Sequence, residues 1–330
     1  MRPFDYRRID DGALAVQAMA GEAGSFLAGG TTLLDLMKLD VMRPDAVIDI
    51  NGLDKRHGEI RIDDSGLHLG ALVRMGDAAA HAGIRKSFPV IAQSLDLAAS
   101  PQIRNMASLG GNVLQRTRCT YFRDTRWSAC NKRNPGSGCA ALDGVTRKHA
   151  VLGGSPDCIA AYPGDFAQAL VALDADVELL GANGPRVMRF EDLHRLPGNT
   201  PHVETDLKPG ELITGFRVPA AAWARRSLYL KLRDRESYEF ALASAAVALD
   251  LDGETVREAR IGLGGVATKP WRARDAEAAL KGRTLDEGMA QHAATLAFAG
   301  AKATPWNGYK IELGQRTLVR ALLEAAKMEV

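Results

Sequence analysis

The 330-residue sequence contains no run approaching the roughly 18 consecutive apolar residues of a membrane span. Its opening residues, Met1-Arg2-Pro3-Phe4-Asp5-Tyr6, lack the apolar core of an export signal. Neither sign of charge is in excess: 42 Lys and Arg face 40 Asp and Glu, a formal charge of +2. That balance argues against nucleic acid or an acidic membrane as the main partner. Walker A, H-E-x-x-H and G-x-S-x-G patterns are missing, so nucleotide hydrolysis, zinc proteolysis and the commonest serine esterase site lack support. What remains is the composition of a globular protein, 46% apolar and 25% charged, with length enough for about two domains.

Cysteine is scarce, and unevenly so. The chain has four, Cys119, Cys130, Cys139 and Cys158, spaced C-x10-C-x8-C-x18-C within one short window. Paired C-x2-C knuckles of structural zinc sites are absent, and neither ferredoxin spacing matches. Disulfides are uncommon in proteins that are not exported, and a chain of this length does not need them to fold. The spacing alone leaves an iron–sulfur cluster, zinc and a plain structural role open. Around the cysteines, residues 114–160 mix Arg116, Arg118, Arg123, Arg126, Lys132, Arg133, Arg147 and Lys148 with Gly, Pro and Asn. So long an irregular stretch in a compact domain is usually functional or held by something else.

Elsewhere the periodicity is regular. Strands are expected at 25–28, 46–50, 66–73, 176–180 and 212–218, and helices at 31–39, 75–81, 87–98 and 166–173, the last capped by Asp165. Pro219 and Ala220-Ala221-Ala222 mark a boundary. Beyond it, strands at 228–233, 241–251 and 256–263 precede helices at 274–280, 286–299 and 317–327. Strands followed by helices argue for a separate α+β domain, 223–330, after a first domain of 1–222.

Two glycine pairs suggest contact with a ligand backbone. In Leu27-Ala28-Gly29-Gly30-Thr31-Thr32-Leu33, a strand runs through a glycine pair into a helix, where the missing Cβ atoms allow a sharp turn and N–H groups face outward for a pyrophosphate. Ser108-Leu109-Gly110-Gly111-Asn112 repeats the arrangement with hydrogen-bonding side chains on both sides. Either loop alone fits a plain strand-to-helix turn; together they suit one diphosphate. A third run, Gly262-Leu263-Gly264-Gly265-Val266-Ala267, satisfies G-x-G-x-x-A, but Thr268-Lys269-Pro270 follows where that fingerprint needs a helix. It is expected to be a strand end turning beneath a packed surface.

These stretches, with Gln102-Ile103-Arg104-Asn105 and Pro163-Gly164-Asp165, resemble three signatures, in order, of the FAD-binding subunit or middle domain of the xanthine dehydrogenase and molybdenum hydroxylase family. The resemblance spans nearly the whole chain. It implies an α+β protein: a two-part FAD-binding domain of PCMH-like type (about 1–60 and 61–222, with the cysteine-bearing insert at about 114–160), then a C-terminal domain like that of the carbon monoxide dehydrogenase flavoprotein subunit. Most of the family lacks the insert. Arg116-Thr117-Arg118-Cys119, Cys130-Asn131-Lys132-Arg133 and Pro135 to Leu142 resemble the insert of the flavin subunit of bacterial periplasmic aldehyde oxidoreductases, where it carries a [4Fe–4S] cluster.

The resemblance implies roles. Leu27 to Leu33 would wrap the FAD pyrophosphate, and Ser108, Gly110, Gly111 and Asn112 would complete the cradle. Asp165 would accept hydrogen bonds from ribityl or ribose hydroxyls, Ile213 and Lys231 would lie near the flavin ring, and Tyr238 or Phe240 would cover it. The four cysteines would be cluster ligands. No residue here is expected to oxidise the substrate, because molybdopterin and plant-type [2Fe–2S] motifs are absent. Electrons would come from a molybdenum-cofactor large subunit through a [2Fe–2S] small subunit in a heterotrimer, and leave for an external acceptor. The expected compartment is the cytoplasm, or the periplasm after export bound to a signal-bearing partner. A zinc-held nucleotide-binding interaction subunit and a stand-alone flavin oxidase are the alternatives.

Overall fold

The structure, a computed structural model, describes residues 1–20 and 23–330. Three sheets, one after another along the chain, account for its architecture. The first has three parallel strands in the order β1-β3-β2: β1 Asp5–Arg8, β2 Gly24–Leu27 and β3 Ala46–Asp49. Helices α1 (Gly12–Ala18) and α2 (Leu33–Lys38) supply the crossovers that parallel strands need. Asp11 caps α1 with its carboxylate on the Ala13 and Leu14 N–H groups. Central β3, Ala-Val-Ile-Asp, is buried along its length, as a strand flanked on both sides must be.

The second sheet is antiparallel, in the order β4-β5-β8-β6-β7, from β4 Ile60–Asp63, β5 Gly66–Gly70, β6 Asp176–Gly181, β7 Gly184–Arg189 and β8 Leu212–Pro219. Helix α3 (Pro89–Asp96) and, further along, α6 (Phe166–Ala172) bury apolar residues in its core, where Phe166, Phe190 and Phe216 meet edge to face. Between them lie α4 (Leu109–Val113) and α5 (Thr120–Arg123), two single-turn helices that flank the start of the cysteine insert.

The third sheet, order β12-β11-β10-β9, belongs to the C-terminal part: β9 Ser227–Leu232, β10 Ala243–Asp252, β11 Thr255–Gly264 and β12 Trp271–Arg272. The Ala-Val-Leu run of β10 is buried on both faces. Ala243, Ala245, Val247 and Leu249 face a core built with α7 (Arg274–Leu280), α8 (Glu287–Ala297) and α9 (Tyr309–Ala326), whereas Ala246 and Ala248 face the core of the second sheet. Alternation thus places one strand in two cores. The Gly262–Ala267 run is a strand end followed by a turn. A Cβ on Gly262 would meet the Gln168 carbonyl oxygen of α6 at 2.4 Å, and Gly265 holds φ +71°, so these glycines serve packing and turning.

The expected helix at 317–327 begins eight residues earlier, at Tyr309. The extra turns carry Lys310, a fully buried lysine whose ammonium donates to the carbonyls of His149 and Gly265. Burial, reinforced by Arg147 and Lys148, pulls its pKa down to about 7. In the unfolded chain a lysine keeps its proton to about pH 10.4. Between these values the unfolded state holds a proton that the folded state has released, so stability rises with pH. We expect the denaturation midpoint of the wild type to climb between pH 7 and 10 relative to Lys310→Met, with a slope approaching about 1.4 kcal/mol per pH unit. Parallel denaturant titrations of the two proteins measure it.

Candidate functional site: two joined chambers and a sulfur cavity

Gly29 and Gly30 follow β2, and each is required by geometry. Gly30 has φ +72°, and a Cβ on Gly29 would stand 2.0 Å from the carbonyl oxygen of Met106. Met106 leads directly into the second glycine loop, so this contact brings the two loops together. Side chains secure it: Arg74 donates to Met106 O (2.7 Å) and to Asn51 Oδ1 (3.0 Å), and Asn51 donates to Ala28 O (3.1 Å). In the second loop the Ser108 hydroxyl accepts from Gly111 N–H, and Gly110 N–H is held by Ala71 O.

One cavity results. Ala28, Gly29, Gly30, Thr31, Thr32, Leu33, Ser108, Gly110, Gly111 and Ile213 all line it. Leu27 instead packs in the apolar cluster with Leu33, Met37 and Val47. A second chamber meets the first at Thr31 and Thr32 and is lined by Asp35, Asn112, Arg118, Arg123, Asp165, Tyr238 and Phe240, among others. Tyr238 and Phe240 are exposed there, and Tyr238 sits at φ +53°, an uncommon conformation for an aromatic residue.

Charge in the second chamber is tightly organised. Arg123 and Arg118 both donate to Asp35; burial pushes the Asp35 carboxyl up, but the two guanidinium groups outweigh it and hold it below the usual range. Arg118 also lies over the Phe240 ring at 4.9 Å. Asp165 begins α6, yet its carboxylate does not cap the helix. Oδ1 accepts from Tyr229 (2.7 Å) and Oδ2 from Lys231 (2.8 Å), which also donates to Leu97 O. Tyr229 and Lys231 share one face of β9, so the C-terminal sheet fixes this carboxylate. Lys231 lies behind Asp165, its side chain 1% exposed, outside the chamber lining.

All four cysteines are free thiols lining one small cavity with Phe122 and Ala141. Cys130 and Cys139 face each other across a hairpin closed by Asn131 N–H to Gly138 O and Ala140 N–H to Ala129 O. Cys119 precedes α5, and Cys158 closes a tight turn with Ser155. Neighbouring backbone N–H groups work toward the thiolate: Phe122 and Tyr121 for Cys119, Ala141, Leu142 and Ile159 for Cys139, Ala160 for Cys158. Burial still pushes the Cys119 thiol up to about 12 and raises Cys139 and Cys158, so bound cations are what would make thiolates of them. Among the described residues no group of three or more His, Cys, Asp or Glu has the spacing to hold a metal ion.

Residues beyond the cysteines position the insert. Glu204 accepts from Arg116 (2.5 Å) and pairs with Lys132 (3.2 Å); burial raises its carboxyl, and the two cations bring it below the usual range. His149 is buried with Nε2 3.2 Å from Cys119 Sγ, and burial together with Lys310 pulls its pKa down to about 4. Glu204, His149 and Asp35 were not singled out by pattern or spacing; each owes its place to partners more than 25 residues away.

Comparison with known proteins identifies what this arrangement serves. Residues 3–221 match the FAD binding domain in molybdopterin dehydrogenase, and residues 228–325 match the CO dehydrogenase flavoprotein C-terminal domain. The chain therefore belongs to the FAD-binding subunits of the molybdenum hydroxylase family, and it is an oxidoreductase subunit. It is 46% identical over 329 residues to the aldehyde oxidoreductase FAD-binding subunit PaoB of Escherichia coli, covering 98% of this chain and 99% of that one. The carbon monoxide dehydrogenase medium chain of Afipia carboxidovorans is 29% identical over 90% of this chain and 86% of its own. A solved chain of carbon monoxide dehydrogenase from Hydrogenophaga pseudoflava superposes with a TM-score of 0.76 at 27% identity, covering 99% of this chain and 98% of that one.

The residues fit FAD. Two glycine backbones open onto the first chamber, and the second presents aromatic faces together with two buried, unpartnered polar atoms, Asn112 Oδ1 and Arg118 Nε. Adding a methyl at Gly29 must separate the loops, because the atom in its way is backbone. Gly29→Ala is expected to weaken FAD retention about tenfold or more. Gly300→Ala, whose methyl meets nothing within 4 Å, should leave retention unchanged. Flavin released per chain on dilution and gel filtration provides the comparison.

Proposed function

We propose that this chain is the FAD- and [4Fe–4S]-carrying electron-transfer subunit of a molybdenum-dependent aldehyde oxidoreductase complex. A large subunit with the molybdenum cofactor and a small subunit with [2Fe–2S] centres would be its partners, and an external acceptor would take the electrons. When bound, FAD exchanges electrons in pairs or singly and the cluster exchanges them singly. The chain's own residues hold and tune. Gly29, Gly30, Gly110 and Gly111 let backbone approach the pyrophosphate, and Ser108 stiffens the second loop. Asn112 and Asp165 offer acceptors to the rest of the cofactor, and Tyr238 and Phe240 cover an aromatic ring. Cys119, Cys130, Cys139 and Cys158 would supply four sulfurs, and the backbone N–H groups near Cys119, Cys139 and Cys158 would favour the more negative state of a cluster.

The observation carrying this reading is the join between the two sites. Arg118 lines the second cofactor chamber, and the next residue, Cys119, lines the sulfur cavity, so one peptide bond separates their walls. Metal and flavin analysis of the protein purified with its partners tests it. Expected are one FAD and four irons per chain, with flavin absorption and a broad shoulder near roughly 400 nm that bleach on reduction. Cys139→Ser should lose the iron and keep the flavin. Zinc with no visible iron–sulfur absorption would favour an interaction module instead, and aldehyde turnover by the isolated chain would favour a stand-alone oxidase.

A further inference from the structure

We propose that His149 is a positioning residue for the sulfur-ligated centre: its imidazole N–H donates to the Cys119 sulfur and raises the potential of the cluster. This rests on the four-cysteine reading above and adds a residue and a role to it.

The geometry leaves one arrangement. His149 Nε2 lies 3.2 Å from Cys119 Sγ, whereas Nδ1 is buried and has no partner. A neutral imidazole has a single N–H, which belongs on the nitrogen that faces an acceptor. Once Cys119 binds as thiolate it has no proton to give, so the hydrogen bond runs from ring to sulfur. Apolar packing does not explain a histidine here, because a phenylalanine or leucine would fill the space without leaving a nitrogen unsatisfied.

The ring is held in place from outside the insert. The His149 carbonyl accepts from Lys310 Nζ at 3.0 Å, and Asn307 Nδ2 reaches the Ala150 carbonyl at 3.1 Å. His149 N–H donates to Thr146 O, and Ala150 N–H to Ile159 O, one residue beyond Cys158. The ring itself rests against Tyr121, centroids 6.0 Å apart. The C-terminal domain thereby aims a donor at a ligand sulfur of the first domain. Reduction adds negative charge to a cluster, so a donor to its sulfur stabilises the reduced form more than the oxidised one.

The experiment uses the complete complex and an EPR-monitored redox titration, with iron and FAD counted for each protein. His149→Leu removes the donor, and His149→Gln retains an N–H of similar reach. The expected result is unchanged iron and FAD in both variants, a cluster midpoint shifted to more negative potential in H149L, recovery of at least half that shift in H149Q, and an unmoved flavin midpoint. A wild-type midpoint in H149L overturns the inference. Equal shifts in both variants also overturn it, since packing alone would then account for them, and so does loss of iron from both. Wild-type complex purified without iron overturns the four-cysteine reading itself, a result visible before any variant is made.

Discussion

Contact between the Gly29 α-carbon and the Met106 carbonyl is the constraint on which the rest of this molecule depends. The two glycine loops sit on different sheets' connections, some 80 residues apart in sequence, and neither encloses anything alone. Pressed together, with Arg74 and Asn51 spanning them, they give a dinucleotide a continuous backbone-lined wall. Side chains at either glycine would convert that wall into a gap. The parallel first sheet and the antiparallel second sheet serve this one apposition: the first delivers Gly29 at the end of β2, and the second fixes Ala71, which holds Gly110.

The cysteine insert depends on the same framework at both ends. Near its start, Arg118 and Arg123 grip Asp35 of α2, the helix that follows the first glycine loop. Near its end, Val151 and Leu152 donate to Val266 O, and Thr268 donates back to Leu152 O. Between these anchors little regular structure survives, and a short hairpin, one helical turn and a tight turn deliver the sulfurs. Irregular backbone is tolerated because its polar groups are paired with Asn131, Ser137, Tyr121 and Arg133.

Much of this was legible in the sequence because the requirements are local. A glycine pair at a strand end and cysteines crowded into one window are statements about neighbours along the chain, and the structure gathers each set around a cavity. Less legible were the elements and partners set by distant contacts. Strand β1, Asp-Tyr-Arg-Arg, is exposed throughout and has no apolar alternation to announce it. Helix α9 starts with Tyr309-Lys310, where charge and Gly314 interrupt the apolar pattern that a reading from periodicity follows. Asp165 has the residue type and position of a helix cap, but Tyr229 and Lys231 of β9 claim its carboxylate. His149 follows Arg147 and Lys148 and looks like part of a solvated basic run; only the fold turns it inward.

Because Lys310 and Asn307 lie on the far domain, the sulfur-bearing segment is not a self-contained cassette. Grafted by itself onto a family scaffold that lacks those two residues, it would bring its four thiols without the floor that seats His149 and Ala150. The seat of the insert is therefore encoded at two places in the chain, the insert itself and a pair of side chains about 160 residues beyond His149, and the present arrangement closes only where both are present.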